Sequence, residues 1–413
     1  MLKFNTNNFI IRKYFILLFS FIIIFSFIGK TQAQSEISPQ GKIQGLIDSL
    51  ANYYRVSKNI PNGGFYLYIM APNGNFMFSG GVNPAATQYS NLRVASITKT
   101  FTAAAIMKLH DEGKLNINDE ITDNFPNTNT PYVPEDENYN IPFKNEITIK
   151  MLLEHRAGVF DVTNDAIPDT IKQPYAGKRY LEYVREMPNN DTHTFTFDEL
   201  VGVVAKTQLY YFTPQQDSFH YSNTGYNILG KIIERASGET YSDYISNHFF
   251  KPLVFSSESV WKGDDMNMPD PHIEGYVFVG NQSINATVDN MSGNVSEGNI
   301  IANPYNLATW MKLLITGQAG VSQGSVNKMM MMKAADERHG VYGLGLTYTD
   351  GLGYGHDGAH AGYLNTLRYN PDTGVCVFIA SNFWDLSDNM NSMMKQGGSM
   401  TRLALDAIDI LNN

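Results

Sequence analysis

Arg93-Val-Ala-Ser96-Ile-Thr-Lys99-Thr-Phe101-Thr-Ala-Ala-Ala-Ile-Met107-Lys-Leu109 carries a Ser and a Lys three residues apart at the head of an apolar run. Phe101, Ala104, Ala105, Met107 and Leu109 recur at helical spacing, which predicts a helix buried along at least one face. Residues i and i+3 share a face, so the Lys99 amine falls within reach of the Ser96 hydroxyl. A desolvated Lys beside other cationic groups loses its proton near neutral pH and serves as a general base. Ser-x-x-Lys alone is a weak signal, since it recurs at Ser259/Lys262, Ser325/Lys328 and Ser392/Lys395, where a solvated helix face or a turn accounts for it.

The first 33 residues read as a leader. Lys3, Arg12 and Lys13 precede an apolar run from Tyr14 to Ile28, and small residues stand at Thr31 and Ala33. This predicts a secretory signal peptide cut after Ala33 and a secreted or periplasmic protein. The alternative is an uncleaved anchor, against which stands a run of about 15 apolar residues where a span needs about 20. With cleavage, no membrane span is expected. Net charge is −10, and more negative still without the leader's four cations, so nucleic acid and anionic membrane surfaces are excluded as natural partners. One cysteine, Cys376, permits no intrachain disulfide, so a large core has to supply stability.

Taken in order, Ile43 to Tyr54 predicts a helix, and Phe65–Met70 with Phe76–Phe78 around Pro72-Asn-Gly74 predicts a hairpin. Residues 113–300 read as a mainly helical insertion, with helical runs at 149–155, 197–204 and 225–236 and a polar loop from Asn281 to Asn299. Asn303-Pro304 reads as the cap and first position of a helix to Ile315. Val341–Tyr348, Thr366–Tyr369 and Val375–Ala380 read as strands, and Leu403–Leu411 as a closing helix. Strands at both chain ends around a helical middle imply an α+β fold: one antiparallel sheet, built from 34–112 and 301–413, with helices on its faces.

A serine nucleophile with a lysine base still needs a group to protonate the leaving atom and donors for the oxyanion. Tyr221 and Asn223, two apart at the start of a helix, project to one side in extended chain. Tyr354-Gly-His356-Asp357-Gly358-Ala359-His360-Ala-Gly362-Tyr reads as a glycine-interrupted loop that approaches something closely. Its two histidines are not aligned as helical metal ligands, and no other ligand cluster exists, so no metal and no cofactor are expected.

Ser96-x-x-Lys99, Tyr221-x-Asn223 and His356-x-Gly358, in that order, resemble the three motifs of the serine β-lactamase and penicillin-binding superfamily. Leu152-Leu-Glu-His-Arg-Ala-Gly158, Phe250-Lys-Pro-Leu253 and Tyr342-Gly-Leu-Gly345 are similar to recurrent segments of its class C β-lactamase and D-alanyl-D-alanine carboxypeptidase (S12-like) branch. The likeness runs over about residues 40 to 410. It implies a β-lactamase-like three-layer α/β/α domain with the helical subdomain inserted. It also implies a secreted serine hydrolase that forms an acyl-enzyme on Ser96 with small peptide, amide or ester substrates, some peptidoglycan-derived. Lys99 would be the base, Tyr221 the proton shuttle and Asn223 the substrate-amide partner. The backbone N–H groups of Ser96 and Ala359, beside Gly358, would form the oxyanion hole. His356 stands where many relatives carry a Lys. Asp357 stands where relatives often place a Thr that binds a substrate carboxylate. Facing the pocket, it would favour a neutral ester or an amine-bearing substrate; turned away, it would exclude neither. Esterase, weak β-lactamase and non-catalytic penicillin- or peptidoglycan-binding protein remain alternatives on the same fold, and oligomeric state stays unread.

Overall fold

Phe65-Tyr-Leu-Tyr-Ile-Met is apolar without alternation, as a strand covered on both faces must be. The computed structural model describes residues 37–188, 190, 192–255, 260, 266–280 and 282–412; the predicted leader, Ser259, Lys262 and Asn281 lie outside them. The chain divides at Lys42, before which the described residues supply the first turn of helix α1 (Pro39–Ser57). From Ile43 onward it forms one compact unit. Its main sheet comprises β1 (Phe65–Ala71), β2 (Gly74–Gly80), β3 (Lys333–Ala334), β4 (Val341–Tyr342), β5 (Thr347–Thr349), β6 (Gly353–His360), β7 (Tyr363–Asn370) and β8 (Val375–Ser381). The order is β2-β1-β8-β7-β6-β5-β4-β3, antiparallel throughout, so strands from the two ends of the chain pair at β1 and β8.

The longer helices after α1 are α2 (Thr98–Asp111), α3 (Phe197–Thr207), α4 (Asn223–Ser237), α5 (Pro304–Ile315) and α6 (Asn389–Asn412). Alternate residues of β1 and β8 feed two cores. Phe65, Leu67, Ile69, Val377 and Ile379 pack with Ile43, Ile47, Ala51 and Tyr54 of α1 and with Met400, Leu403, Ala404 and Ala407 of α6. Tyr66, Tyr68, Phe378 and Ala380 pack on the other side with α2, α5 and the helical segment. Helix α2 is buried nearly all round, which only a core helix tolerates. Its Phe101 stacks on Trp310 of α5 with ring centroids 3.9 Å apart, a pairing that contributes about 0.5–1.5 kcal/mol beyond area burial. Asn303 caps α5 by accepting from the Asn306 N–H, and Gly238 ends α4 in the left-handed region.

Four sequence expectations change, the first being Val341–Tyr348, read as one strand, which is two, β4 and β5, because the chain turns between Gly343 and Leu346 with Gly345 at φ 70°. Tyr354 to His360, read as a loop, lies in strand β6; its glycines hide the period-two pattern because they serve close approach. A Cβ on Gly355 would lie 1.8 Å from the Leu367 carbonyl oxygen, and one on Gly358 would lie 2.2 Å from that of Val94. The polar loop from Asn281 begins with a strand, Gln282–Asn285, paired with Tyr276–Val279, which pairs in turn with Phe383–Asp385. All four residues of that strand are exposed, so no apolar alternation marks it. The closing helix α6 starts at Asn389, well before Leu403; Gly397-Gly398 and the Asn, Ser and Lys set among Met390, Met393 and Met394 hide its period in the sequence.

The contact at Gly358 presses β6 against the chain just before Ser96. Gly358→Ala is therefore expected to destabilise the protein by about 1–3 kcal/mol, read as a lower urea midpoint. An unchanged midpoint contradicts this reading of the contact.

Candidate active site

Ala95 takes a left-handed backbone conformation (φ 51°) and turns the chain into a short 3-10 turn, Ala95–Ile97, that runs straight into α2. Ser96 sits in that turn, half-buried, and Lys99 lies one helical turn on with no exposed surface. Lys99 Nζ is 3.2 Å from Ser96 Oγ, 2.8 Å from Asn223 Oδ1 and 2.8 Å from the Glu297 carbonyl oxygen. The last two accept only. A neutral amine has two N–H bonds for those two acceptors, which leaves its lone pair facing the Ser96 hydroxyl. Burial brings the Lys99 pKa down to about 7, against the opposing pull of the Glu297 and Asp161 carboxyls.

The orientation of Asn223 follows from its neighbours. Asp161 accepts from the Thr163 hydroxyl at 2.7 Å, so Thr163 Oγ1 is left to accept from Asn223 Nδ2 at 2.9 Å, and Asn223 Oδ1 must point at Lys99. Asp161 also accepts from the backbone N–H of Asn223 at 3.0 Å, fixing the first residue of α4. Expected to hold a substrate amide, the Asn223 side chain here bonds Lys99 and Thr163. Tyr221 is half-buried, lies close enough to the Ser96 side chain for that group to oppose the effect of burial on its phenol, and stacks on His339 at 4.9 Å. Its ring centroid lies 4.7 Å from Lys99 Nζ. Burial pushes its phenol well above the ordinary 10, so it stays protonated where Lys99 does not.

His356 was expected to line the pocket; instead it is buried and both ring nitrogens are engaged. Ser222 N–H donates to His155 Nδ1 at 3.1 Å, so neutral His155 carries its proton on Nε2 and donates to Tyr342 Oη at 3.2 Å. Tyr342 then donates to His356 Nε2 at 2.8 Å, and His356 Nδ1 donates to the Asp357 carbonyl oxygen. Every proton in the chain has one place, and burial keeps both rings neutral, His356 falling to about 3. Asp357 also departs from its substrate-binding expectation. Its carboxylate accepts from Thr366 Oγ1 and pairs with buried Arg368 across the neighbouring strand, both at 2.8 Å, which holds it below the usual carboxylate range. It keeps 56% of its side-chain surface accessible, with its charge answered by Arg368. Gly358 lies against Val94, and Ala359, half-buried, follows it on β6.

Asp161, Thr163, Arg368 and Glu297 were not read from the sequence. Asp161 follows closely on the Leu152–Gly158 segment; nothing in the sequence pointed to Glu297. Among the described residues no group of three His, Cys, Asp or Glu is arranged to hold a metal, and no helix is long and apolar enough to cross a membrane.

A two-faced antiparallel sheet with a Ser, Lys and Tyr converging beside one of its strands defines the serine β-lactamase and penicillin-binding superfamily. The chain belongs to the Beta-lactamase family of serine hydrolases, whose model it matches over residues 66–392. It is 31% identical over 175 residues to Protein flp of Staphylococcus aureus (strain NCTC 8325 / PS 47), covering 42% of this chain and 29% of that protein. It is 25% identical over 298 residues to the Putative penicillin-binding protein PbpX of Bacillus subtilis (strain 168), covering 72% of this chain and 62% of that one. The chain thus spans less than two thirds of either relative. The solved D-amino acid amidase from Ochrobactrum anthropi SV3, complexed with L-phenylalanine amide, shares the fold with a TM-score of 0.70 at 21% identity, covering 91% of this chain and 99% of that one.

Both His356 and Asp357 have folded-state pKa values below their unfolded ones, so their stabilisation is complete above those values and is lost on acidification. Unfolding free energy is expected to decline from about pH 6.5 toward about pH 3, and His356→Gln to flatten the upper part of that slope. Urea midpoints across the range check this; a wild-type midpoint constant over it contradicts the assignment.

Proposed function

We propose that this chain is a secreted serine hydrolase that acylates Ser96 and hydrolyses D-amino-acid amides or peptides, including D-alanyl-D-alanine termini. The observation that carries the proposal is Lys99 Nζ standing 3.2 Å from Ser96 Oγ with its other two partners acceptors only, in a site whose burial brings the amine down to about 7. As Ser96 Oγ attacks the acyl carbon, its proton passes to Lys99 Nζ, and backbone N–H groups of Ser96 and Ala359 meet the developing oxyanion. The proton then travels by the Tyr221 hydroxyl to the leaving nitrogen as the C–N bond breaks. Water attacks the acyl-enzyme, with Lys99 again taking a proton, and Ser96 is regenerated. Asn223 holds the amine in register throughout.

Substrate class follows from charge. His356 supplies no cation for a β-lactam carboxylate, because it is neutral and tied to Tyr342. That weakens the hold on a β-lactam and on a D-alanyl-D-alanine terminus alike, and leaves neutral amides the best-matched substrates. Asp357 is matched by Arg368, so it neither repels a terminal carboxylate strongly nor excludes a neutral amide. The amidase likeness supports the amide reading, and the predicted leader at residues 1–33 supports export.

The test is turnover of a D-amino-acid amide and a D-alanyl-D-alanine peptide, with intact-protein mass recorded after exposure to a penicillin. The wild type is expected to hydrolyse the D-substrates, with penicillin consumed slowly at most, and Ser96→Ala to lose at least about 10³-fold in kcat/KM. Undiminished turnover in Ser96→Ala overturns the acyl-enzyme. A wild-type penicilloyl adduct without turnover of any acyl substrate marks a binding protein instead.

A further inference from the structure

Strand β3, at the edge of the main sheet, runs into β4 through residues 335–340. Ala335 N–H donates to the Gly340 carbonyl at 2.9 Å, Gly340 N–H donates to the Asp336 carbonyl at 2.8 Å, and Gly340 takes the left-handed conformation that closes the turn (φ 64°). Glu337, Arg338 and Gly340 are exposed, yet the side chain of His339 between them keeps only 13% of its surface accessible. Its ring is turned inward. Asp336 Oδ1 accepts from the His339 backbone N–H at 2.8 Å and from its ring Nδ1 at 2.7 Å, and these two bonds set the direction of the imidazole.

The ring so held lies flat against the phenol of Tyr221, 6° from parallel with centroids 4.9 Å apart, an offset stack. It also meets Phe219 of the same loop at 5.5 Å. The base of the hairpin is tied to a second part of the site, since Lys333 Nζ donates to Glu154 Oε2 at 3.1 Å and Arg156 Nη2 donates to the Ala334 carbonyl. A hydrogen bond to the phenol oxygen cannot fix the plane of a tyrosine ring, because that oxygen lies on the axis of the broad χ2 torsion. Contact on the ring face has to do it.

We propose that His339, locked by Asp336, is a positioning residue for Tyr221: its flat ring holds the phenol where it can hand a proton to the leaving nitrogen, so the β3–β4 turn governs the cleavage of amides. This rests on the acyl-enzyme reading above. In the step concerned the acyl C–N bond breaks, the leaving nitrogen takes the electron pair and the Tyr221 hydroxyl proton, and Tyr221 regains a proton from the Lys99 ammonium. A nitrophenolate leaves without that proton. A misplacement of the donor by about 1 Å costs on the order of 10²-fold, and the loss falls on the amide alone.

The experiment compares kcat/KM, which reports acylation, for a D-amino-acid amide and for the p-nitrophenyl ester of the same acyl group. His339→Ala is expected to lose at least about tenfold on the amide and to stay within about twofold on the ester. His339→Leu fills the space without a flat ring and is expected to behave likewise, which covers a failure of the alanine variant to fold. His339→Phe restores the stack and is expected to return the amide rate toward wild type. Equal losses on amide and ester mean packing alone and overturn the proposal, as does an amide rate in His339→Phe no better than in His339→Leu. Ser96→Ala run alongside separates the two claims. Turnover that survives it defeats the acyl-enzyme reading, whereas Ser96-dependent turnover with equal losses defeats only the role of His339.

Discussion

A lysine amine with no exposed surface has to be either compensated or neutral, and the architecture around Lys99 arranges both. Two acceptor-only oxygens, from Asn223 at the head of α4 and from the carbonyl of Glu297, take its N–H bonds. Ser96 lies in the remaining direction because the left-handed Ala95 sets the turn before α2. Three chain segments far apart in sequence thus meet at one nitrogen. The core that buries α2 on nearly every side, Phe101 against Trp310 included, is what keeps that nitrogen dry.

Charge elsewhere in the site is handled by pairing or by neutrality. Asp357 is answered by Arg368, and Asp161 is taken up by hydroxyl and N–H donors. The chain from Ser222 through His155, Tyr342 and His356 to the Asp357 carbonyl begins and ends on backbone groups. A chain closed at both ends by backbone is a strut rather than a proton wire. It ties the Tyr221 loop, the turn after Leu152, β4 and β6 into one frame.

Much of this was legible in the chain. Helical periodicity after Ser96, the apolar runs of β1 and β8 and the Asn303-Pro304 cap are local signals, and the structure carries each. Ser96, Lys99, Tyr221 and Asn223 were readable as a set through the order of their motifs. What stayed hidden was long-range or backbone-determined. β6 has glycines at 353, 355 and 358 because neighbouring carbonyls leave no room for a Cβ, and glycine reads as loop. The direction of Asp357 depends on Arg368 one strand away, and Glu297 matters through its own carbonyl, and neither leaves a pattern in sequence.

The central claim is that Lys99 is a neutral base near physiological pH. It is tested most directly by titrating the protein with isotope-labelled lysine side chains and following each Cε and Nζ resonance. The account predicts one lysine that titrates near about 7 and disappears in Lys99→Ala. A spectrum in which every lysine keeps its proton to about pH 10 contradicts it.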